Sequence, residues 1–280
     1  LKLRASYGEL GADDTSAWLY MQSYSTTAPS FSYIVGGTGH TAYYTSNYVY
    51  DNLTWSRTHS FNVGFDLSVW EGKLGVEFDW FYKLTDHILE QVAGSYAPSL
   101  GGNVPSYMNS GKMDNRGFEL VIGHRNRVGE FGYSITGNLN FARNKVLFID
   151  EAPAAEPYQM LTGNPIGSTL FYEAIGIFQD QADLDSYPHM GGAQPGDLKF
   201  RDVNKDGVLD SKDRILVTQT KIPEITFGLN FTFNWKNFDL SLLFQGQQNS
   251  KFYMEGNEDF FKYMDDQWGN FLQWRADGRW

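Results

Sequence analysis

The stretch FNVGFDLSVWEGKLGVEFDWFYKL, residues 61–84, decides the fold. Phe61, Val63, Phe65, Leu67 and Val69 fall on one parity, and Asn62, Gly64, Asp66 and Ser68 on the other. After a break at Glu71-Gly72-Lys73 the alternation resumes. Leu74, Val76, Phe78, Trp80, Tyr82 and Leu84 then oppose Gly75, Glu77, Asp79, Phe81 and Lys83. Successive strand side chains point to opposite faces, so the stretch predicts a hairpin with one apolar and one polar face. Its arms reach the roughly 9–11 residues that a tilted strand needs to cross a bilayer.

The same pattern recurs on both sides. The opening LKLRASYGEL alternates as a strand, which reads the chain as a piece of something longer. Phe118, Leu120 and Ile122 oppose Glu119 and Gly123; Tyr133, Ile135, Leu139 and Phe141 oppose Ser134, Thr136, Asn138 and Asn140. Ile225, Phe227, Leu229, Phe231, Phe233 and Trp235 oppose Thr226, Gly228, Asn230, Thr232 and Asn234. A tight turn at Lys236-Asn237 leads into Phe238, Leu240, Leu242 and Phe244. One set suits hydrocarbon: Phe65, Val76, Phe78, Leu229, Phe231 and Leu242. Asp66, Glu77, Asn230 and Ser241 suit water.

Two architectures share this alternation, a transmembrane β-barrel and a soluble β-sandwich. Sandwich strands run about 5–6 residues, and barrels join short turns on one side to long loops on the other. The strand lengths, the short turns and the aromatic strand ends Trp70, Tyr82 and Trp235 favour the barrel. Irregular stretches are expected near 11–54, 92–115, 150–168 and 181–222, with a short amphipathic helix carrying Phe261, Met264, Trp268 and Phe271.

Composition narrows the function. The 280 residues are 16% aromatic, carry a net charge of −11 and contain no cysteine. The acidic balance argues against a nucleic-acid partner, and cysteine-based metal or nucleophile sites are excluded. The five histidines are scattered, with no H-E-x-x-H, nucleophile-elbow or Walker pattern. No catalytic constellation is present. The run Gly37-Thr38-Gly39-His40-Thr41-Ala42 fits a dinucleotide fingerprint only if a helix follows, and TAYYTSNYVY does not read as one.

Two stretches are candidate sites. In RDVNKDGVLDSKDRI, Asp202, Asn204, Asp206, Val208, Asp210 and Asp213 fall at positions 1, 3, 5, 7, 9 and 12 of a calcium loop, with Gly207 at the sharp turn. Asp213 stands where glutamate is usual. GDLKF before the loop and RILVTQ after it read as strands rather than EF-hand helices. The alternatives are a structural Ca²⁺ clip and a metal-free turn held by its own Asx side chains. The second stretch, between Thr15 and Tyr50, has no charged side chain but seven tyrosines. Trp18, Tyr20, Tyr24, Tyr33, Tyr43 and Tyr44 are its candidate ligand contacts, because such rings offer an apolar face beside a hydroxyl or N–H.

NLTWSRTHSFNVGFDLSVWEGKLGVEFDWFYKLTDHIL, GGNVPSYMNSGKMDNRGFELVIG, IGSTLFYEAIGIFQDQADLD, PGDLKFRDVNKDGVLDSKDRILV and PEITFGLNFTFNWKNFDLSLLFQG, in this order, resemble the later barrel region of SusC/RagA-type TonB-dependent transporters. The resemblance implies that residues 1–280 are an all-β, antiparallel transmembrane β-barrel portion, part of a 22-stranded barrel with long extracellular loops. Residues 181–222 would then be a loop insertion carrying the calcium-like motif. It further implies a bacterial outer-membrane location, a SusD-like surface lipoprotein over the barrel, and TonB acting through an N-terminal region that is missing here. Oligosaccharides or peptides would be the cargo and outer-membrane lipid the surroundings. The competing reading is a soluble, calcium-stabilised β-sandwich that binds or hydrolyses carbohydrate.

Overall fold

Strand formation follows the alternation closely. The computed structural model describes residues 1–13, 17–26, 33–46, 48–92, 96–97, 99, 104–151, 156–252 and 273. Its strands in chain order are β1 (Lys2–Ala12), β2 (Tyr24–Thr26), β3 (Tyr33–Val35), β4 (Thr38–His40), β5 (Tyr43–Thr45), β6 (Ser56–Val69), β7 (Leu74–Gln91), β8 (Tyr107–Val128) and β9 (Phe131–Phe148). They continue with β10 (Thr169–Tyr172), β11 (Ala174–Ile177), β12 (Leu198–Phe200), β13 (Arg214–Val217), β14 (Ile225–Trp235) and β15 (Phe238–Gln248). One short helix, α1, covers Gln181–Asp185.

Two compact units result. The first holds residues 1–166 and 224–247, and the second residues 167–223 with 248–280. In the first unit an antiparallel sheet of seven strands runs β1-β6-β7-β8-β9-β14-β15. Its long strands, 14, 18, 22 and 18 residues for β6 to β9, exceed anything a small sandwich uses.

Register makes the two faces continuous. Leu3, Phe65, Phe78, Leu120, Leu139 and Phe227 form one row across six strands. The adjacent row, on the other face, is Arg4, Gly64, Asp79, Glu119, Asn140 and Thr226. Rings link the apolar face across strands, with centroid separations of 5.7 Å for Phe65–Phe78, 6.1 Å for Phe78–Phe118 and 5.8 Å for Phe118–Phe141. A second series, Phe131–Phe233–Phe231–Phe244, crosses β9 and β14 and reaches β15 at 6.0 Å.

Among the described residues of the first unit, none covers the apolar face. The buried apolar side chains among the described residues are Val146, Phe178, Leu184 and Leu209, and none lies on that face. Leu229 stays 42% exposed and Leu3 75%. A sandwich would bury these residues against a second sheet. An apolar face of this size is unstable in water and suits hydrocarbon. The sandwich expectation is therefore corrected: this is a stretch of open barrel wall.

The ends of the sheet differ as a barrel wall requires. Turns at 70–73, 129–130 and 236–237 join neighbouring strands at one end. Trp70, Glu71 and Gly72 hold positive φ at the first of these, and Lys236 at the last. At the other end the connections 13–55, 92–106 and 149–224 are long. Residues 92–115 are only partly the expected loop. Tyr107 onward belongs to β8, because Met108 and Gly111 pair with β7 across two register shifts. Residues 36–37 form the turn of the β3–β4 hairpin, so no helix follows the glycine run. Phe261, Met264, Trp268 and Phe271 lie outside the described residues.

The second unit pairs β10 with β13 and β11 with β12. Its small core holds Phe178 and Leu184, with Lys199 lying over the Phe178 and Tyr187 rings at 5.4 and 4.4 Å. Lys199 also pairs with Asp183 at 2.7 Å. That bond, followed by the Gln179 N–H, holds the Asp183 carboxyl below its ordinary range.

Candidate functional site

The polar face of the wall is the first surface with chemistry. Arg4 reaches Asp66 at 2.6 Å and Asp79 at 2.5 Å, and Lys2 adds a longer contact of 3.6 Å to Asp66. Gly64 sits opposite Asp79, where any Cβ would collide with the Asp79 carboxylate and the Phe78 carbonyl. The absence of a side chain there lets Arg4 lie between two acids of adjacent strands. Glu77 and Glu119 stand exposed on the same face, followed by Asn138, Asn140 and Asn230. The result is a hydrogen-bonding, net acidic wall with few large apolar side chains.

At the long-loop end a second feature forms. The rings of Trp18 and Tyr20 meet at 6.2 Å and line a cavity of about 530 Å³ with Asp13, Leu53, Trp55 and Leu89. Trp55 lies against Gly11 of β1, whose missing Cβ would come within 3.2 Å of the indole. Asn109 fixes this end of β6, accepting from the Thr54 N–H at 2.8 Å and donating to the Thr54 and His87 carbonyls at 2.7 and 2.8 Å. Gly11 shares its face with Tyr7, whose hydroxyl meets His59 Nδ1 at 3.0 Å. The cavity thus opens on the side of the apolar face.

The other candidate contacts lie elsewhere. Tyr24, Tyr43 and Tyr44 belong to the exposed β2–β5 ladder, with Ser25 opposite Tyr44 and Thr26 opposite Tyr43. Tyr33 pairs with His40 in the neighbouring hairpin. The structure therefore gathers Trp18 and Tyr20 but not all six residues, and it adds Trp55. The sequence placed Trp55 next to a strand but gave no sign that Gly11, 44 positions earlier, would receive its ring.

The calcium-like loop closes on itself. Asp202 accepts N–H groups from Lys205 at 2.6 Å and Gly207 at 3.0 Å, and Asn204 accepts from Asp206 at 3.1 Å. The Val208 N–H and then the Asn204 amide, at 2.9 and 2.8 Å, hold the Asp206 carboxyl below its ordinary range. Asp210 caps the turn at 211–213, accepting from Lys212 at 2.7 Å. Asp213 is fully buried and accepts from Val203 and Asp210, both at 2.8 Å. Gly207 at φ +83° and Lys205 at φ +61° supply the sharp turn. Among the described residues no three His, Cys, Asp or Glu gather as a metal group. Positions 1, 3 and 5 keep second lone pairs, so their chemistry fits a hard cation. Asp213, with one backbone N–H on each oxygen like Asp202, differs in being fully buried.

Comparison with known proteins agrees with the wall geometry. A profile of the family described as TonB dependent receptor-like, beta-barrel matches residues 1–280. The chain belongs to this family. TonB-dependent receptor P26 of Formosa agariphila is 27% identical over 268 residues, covering 90% of this chain and 26% of that protein. TonB-dependent receptor SusC of Bacteroides thetaiotaomicron is 23% identical over 264 residues, with 91% and 26% covered. Among solved structures, the RagAB peptide importer in its open-open state matches with a TM-score of 0.60 at 17% identity, over 89% of this chain and 26% of that one. At that identity the likeness concerns the fold. The chain spans about a quarter of the length of these relatives.

Proposed function

We propose that this TonB-dependent receptor segment is a wall of an outer-membrane importer that takes up oligosaccharides or peptides together with a SusD-like surface lipoprotein, and that it performs no catalysis. One observation carries the reading: seven long antiparallel strands share one uncovered apolar face and one polar face. The apolar face meets lipid, and the Arg4–Asp66–Asp79 cluster and the asparagine rows line the lumen. Cargo enters at the long-loop end, where Tyr24, Tyr43 and Tyr44 offer rings and hydroxyls. TonB acts through parts of the receptor outside this chain.

Uptake of labelled oligosaccharides and peptides by cells with and without the full-length receptor tests the proposal. Uptake of one class that needs both TonB and the receptor supports it. A full-length protein released from membranes by buffer without detergent would overturn it.

We further propose that Asp202, Asn204, Asp206, the Val208 carbonyl and Asp210 bind Ca²⁺ as a structural clip, charge neutralisation being what the ion supplies. Calorimetric titration of the full-length receptor with Ca²⁺, alongside Asp206→Ala, tests this. Equal heats from both proteins would leave the loop metal-free.

A further inference from the structure

Resting on the importer reading above, we propose that Phe81 and the side chains around it form a sugar-binding subsite on the lumen face of the wall. The polar face carries almost no rings. Among the described residues between the turns and the bulges near His87 and Lys112, Phe81 is the one Phe, Tyr or Trp on the polar parity of β1, β6 to β9 and β14. Its half-buried ring lies across Gly117, directly opposite on β8. A Cβ on Gly117 would come within 2.7 Å of the ring tip and would strike the Phe141 carbonyl. Ala142 continues the row on β9, so no bulky side chain rises on that side of the ring.

Hydrogen-bonding groups surround this platform. Asn62 is directly opposite on β6, with Ser6 beyond it on β1. One row toward the loops stand Ser60, Lys83 and Asn115, and one row toward the turns stand Asp79 and Glu119. Among the described residues the side chains of Ser60, Asn62, Asn115 and Glu119 make no hydrogen bond. Lys83 is exposed, and its ammonium lies over the Phe81 ring at 5.7 Å, near the outer limit of a cation–π contact. A ligand displaces it at little cost and gains its donor.

One isolated ring ringed by amides, hydroxyls and a carboxylate matches a pyranose, whose C–H face is apolar and whose edge carries hydroxyls. An apolar peptide side chain gains more from an enclosed apolar pocket, which this face does not offer. The height of Phe81 fits passing cargo. Its strand neighbour Tyr82 faces outward in a row with Tyr7, Phe61, Arg116 and Arg143. Rings and guanidiniums of this kind end an apolar band at the membrane interface. Phe81 therefore stands just inside the mouth, where cargo leaves the long loops.

Uptake by cells carrying the full-length receptor tests the assignment, with labelled neutral hexose oligosaccharides and uncharged peptides of matched size as probes. Phe81→Leu should raise the half-saturating oligosaccharide concentration about fivefold and leave maximal uptake unchanged. Phe81→Trp keeps a ring and should restore it, while Asn115→Ala should raise it without touching the ring. The heat resistance of the folded barrel should be the same in all of them. Equal half-saturation in wild type and Phe81→Leu would overturn the proposal. So would lost heat resistance with unchanged half-saturation, which would make Phe81 a packing residue. Should Phe81→Leu fail to insert, unchanged uptake by Asn115→Ala would be the refuting result. Receptor-dependent uptake of peptides alone refutes this subsite and leaves the importer reading standing, whereas uptake of neither class refutes both.

Discussion

Asp213 shows how far residue identity alone carries an argument. Its place at the twelfth position of a calcium loop was legible in the sequence, but its burial and its two backbone partners were not. They depend on the 3₁₀ turn at Ser211–Asp213, whose capping box ties Asp213 to Asp210 and lets it reach the Val203 N–H. Asp213→Ala should orphan two part-buried N–H groups, at most about 1–3 kcal/mol each. Faster hydrogen exchange at Val203 and Asp210, with or without Ca²⁺, would register the loss; unchanged exchange would refute the clasp. Glu151 gives a pH signature. Burial opposes its charge, but the Thr162 side chain and the N–H groups of Thr162 and Leu161, the latter two at 2.7 and 2.8 Å, outweigh it and lower its pKa. A lowered carboxylate stabilises above the unfolded value of 4.5 and loses that contribution as pH falls through the folded value. Exchange at Leu161 and Thr162 should therefore accelerate on acidification below 4.5, and Glu151→Gln should flatten the dependence.

Individual elements were read well wherever alternation was strict. β6, β7, β14 and β15 match their sequence patterns nearly residue for residue, because one uninterrupted parity specifies both faces. β8 was foreseen only around Phe118–Ile122. Its extension to Tyr107 passes bulges near His87 and Lys112 that break the parity, and His87 sits at φ +54°. The face assignment makes a paired prediction on β14. Phe231→Arg should destabilise the inserted barrel by about 2–4 kcal/mol if the site is near the midplane, whereas Asn230→Arg, one residue away and facing the lumen, should cost far less. Urea-induced unfolding of the full-length receptor in bilayers measures both. Equal losses would show that the two faces do not meet different solvents.

At the scale of the molecule, the sheet ends in two open strands. β1 and β15 are its edges among the described residues, each presenting a row of unpaired backbone groups. In hydrocarbon each unsatisfied group costs several kcal/mol, and in water the apolar face exposes Leu3, Phe61, Leu229 and Leu240 together. Neither solvent tolerates the wall alone, and only closure by further strands removes both penalties. The sequence announced this through its two-faced strands, but the seven-strand order and the pairing of β1 with β6 across 43 intervening residues required the structure. Residues 1–280 expressed without detergent should therefore aggregate, and should not give a cooperative melt. The same residues within the full-length receptor should resist unfolding together with the rest of the barrel. A monodisperse monomer of the isolated chain, melting cooperatively, would mean that the apolar face finds cover within the chain, and the assignment of that face to lipid would fall. Aggregation alone discriminates less, since truncated soluble proteins also aggregate. The decisive contrast is recovery: adding detergent micelles and the remaining strands in trans should restore a heat-resistant barrel, which no soluble sandwich would require.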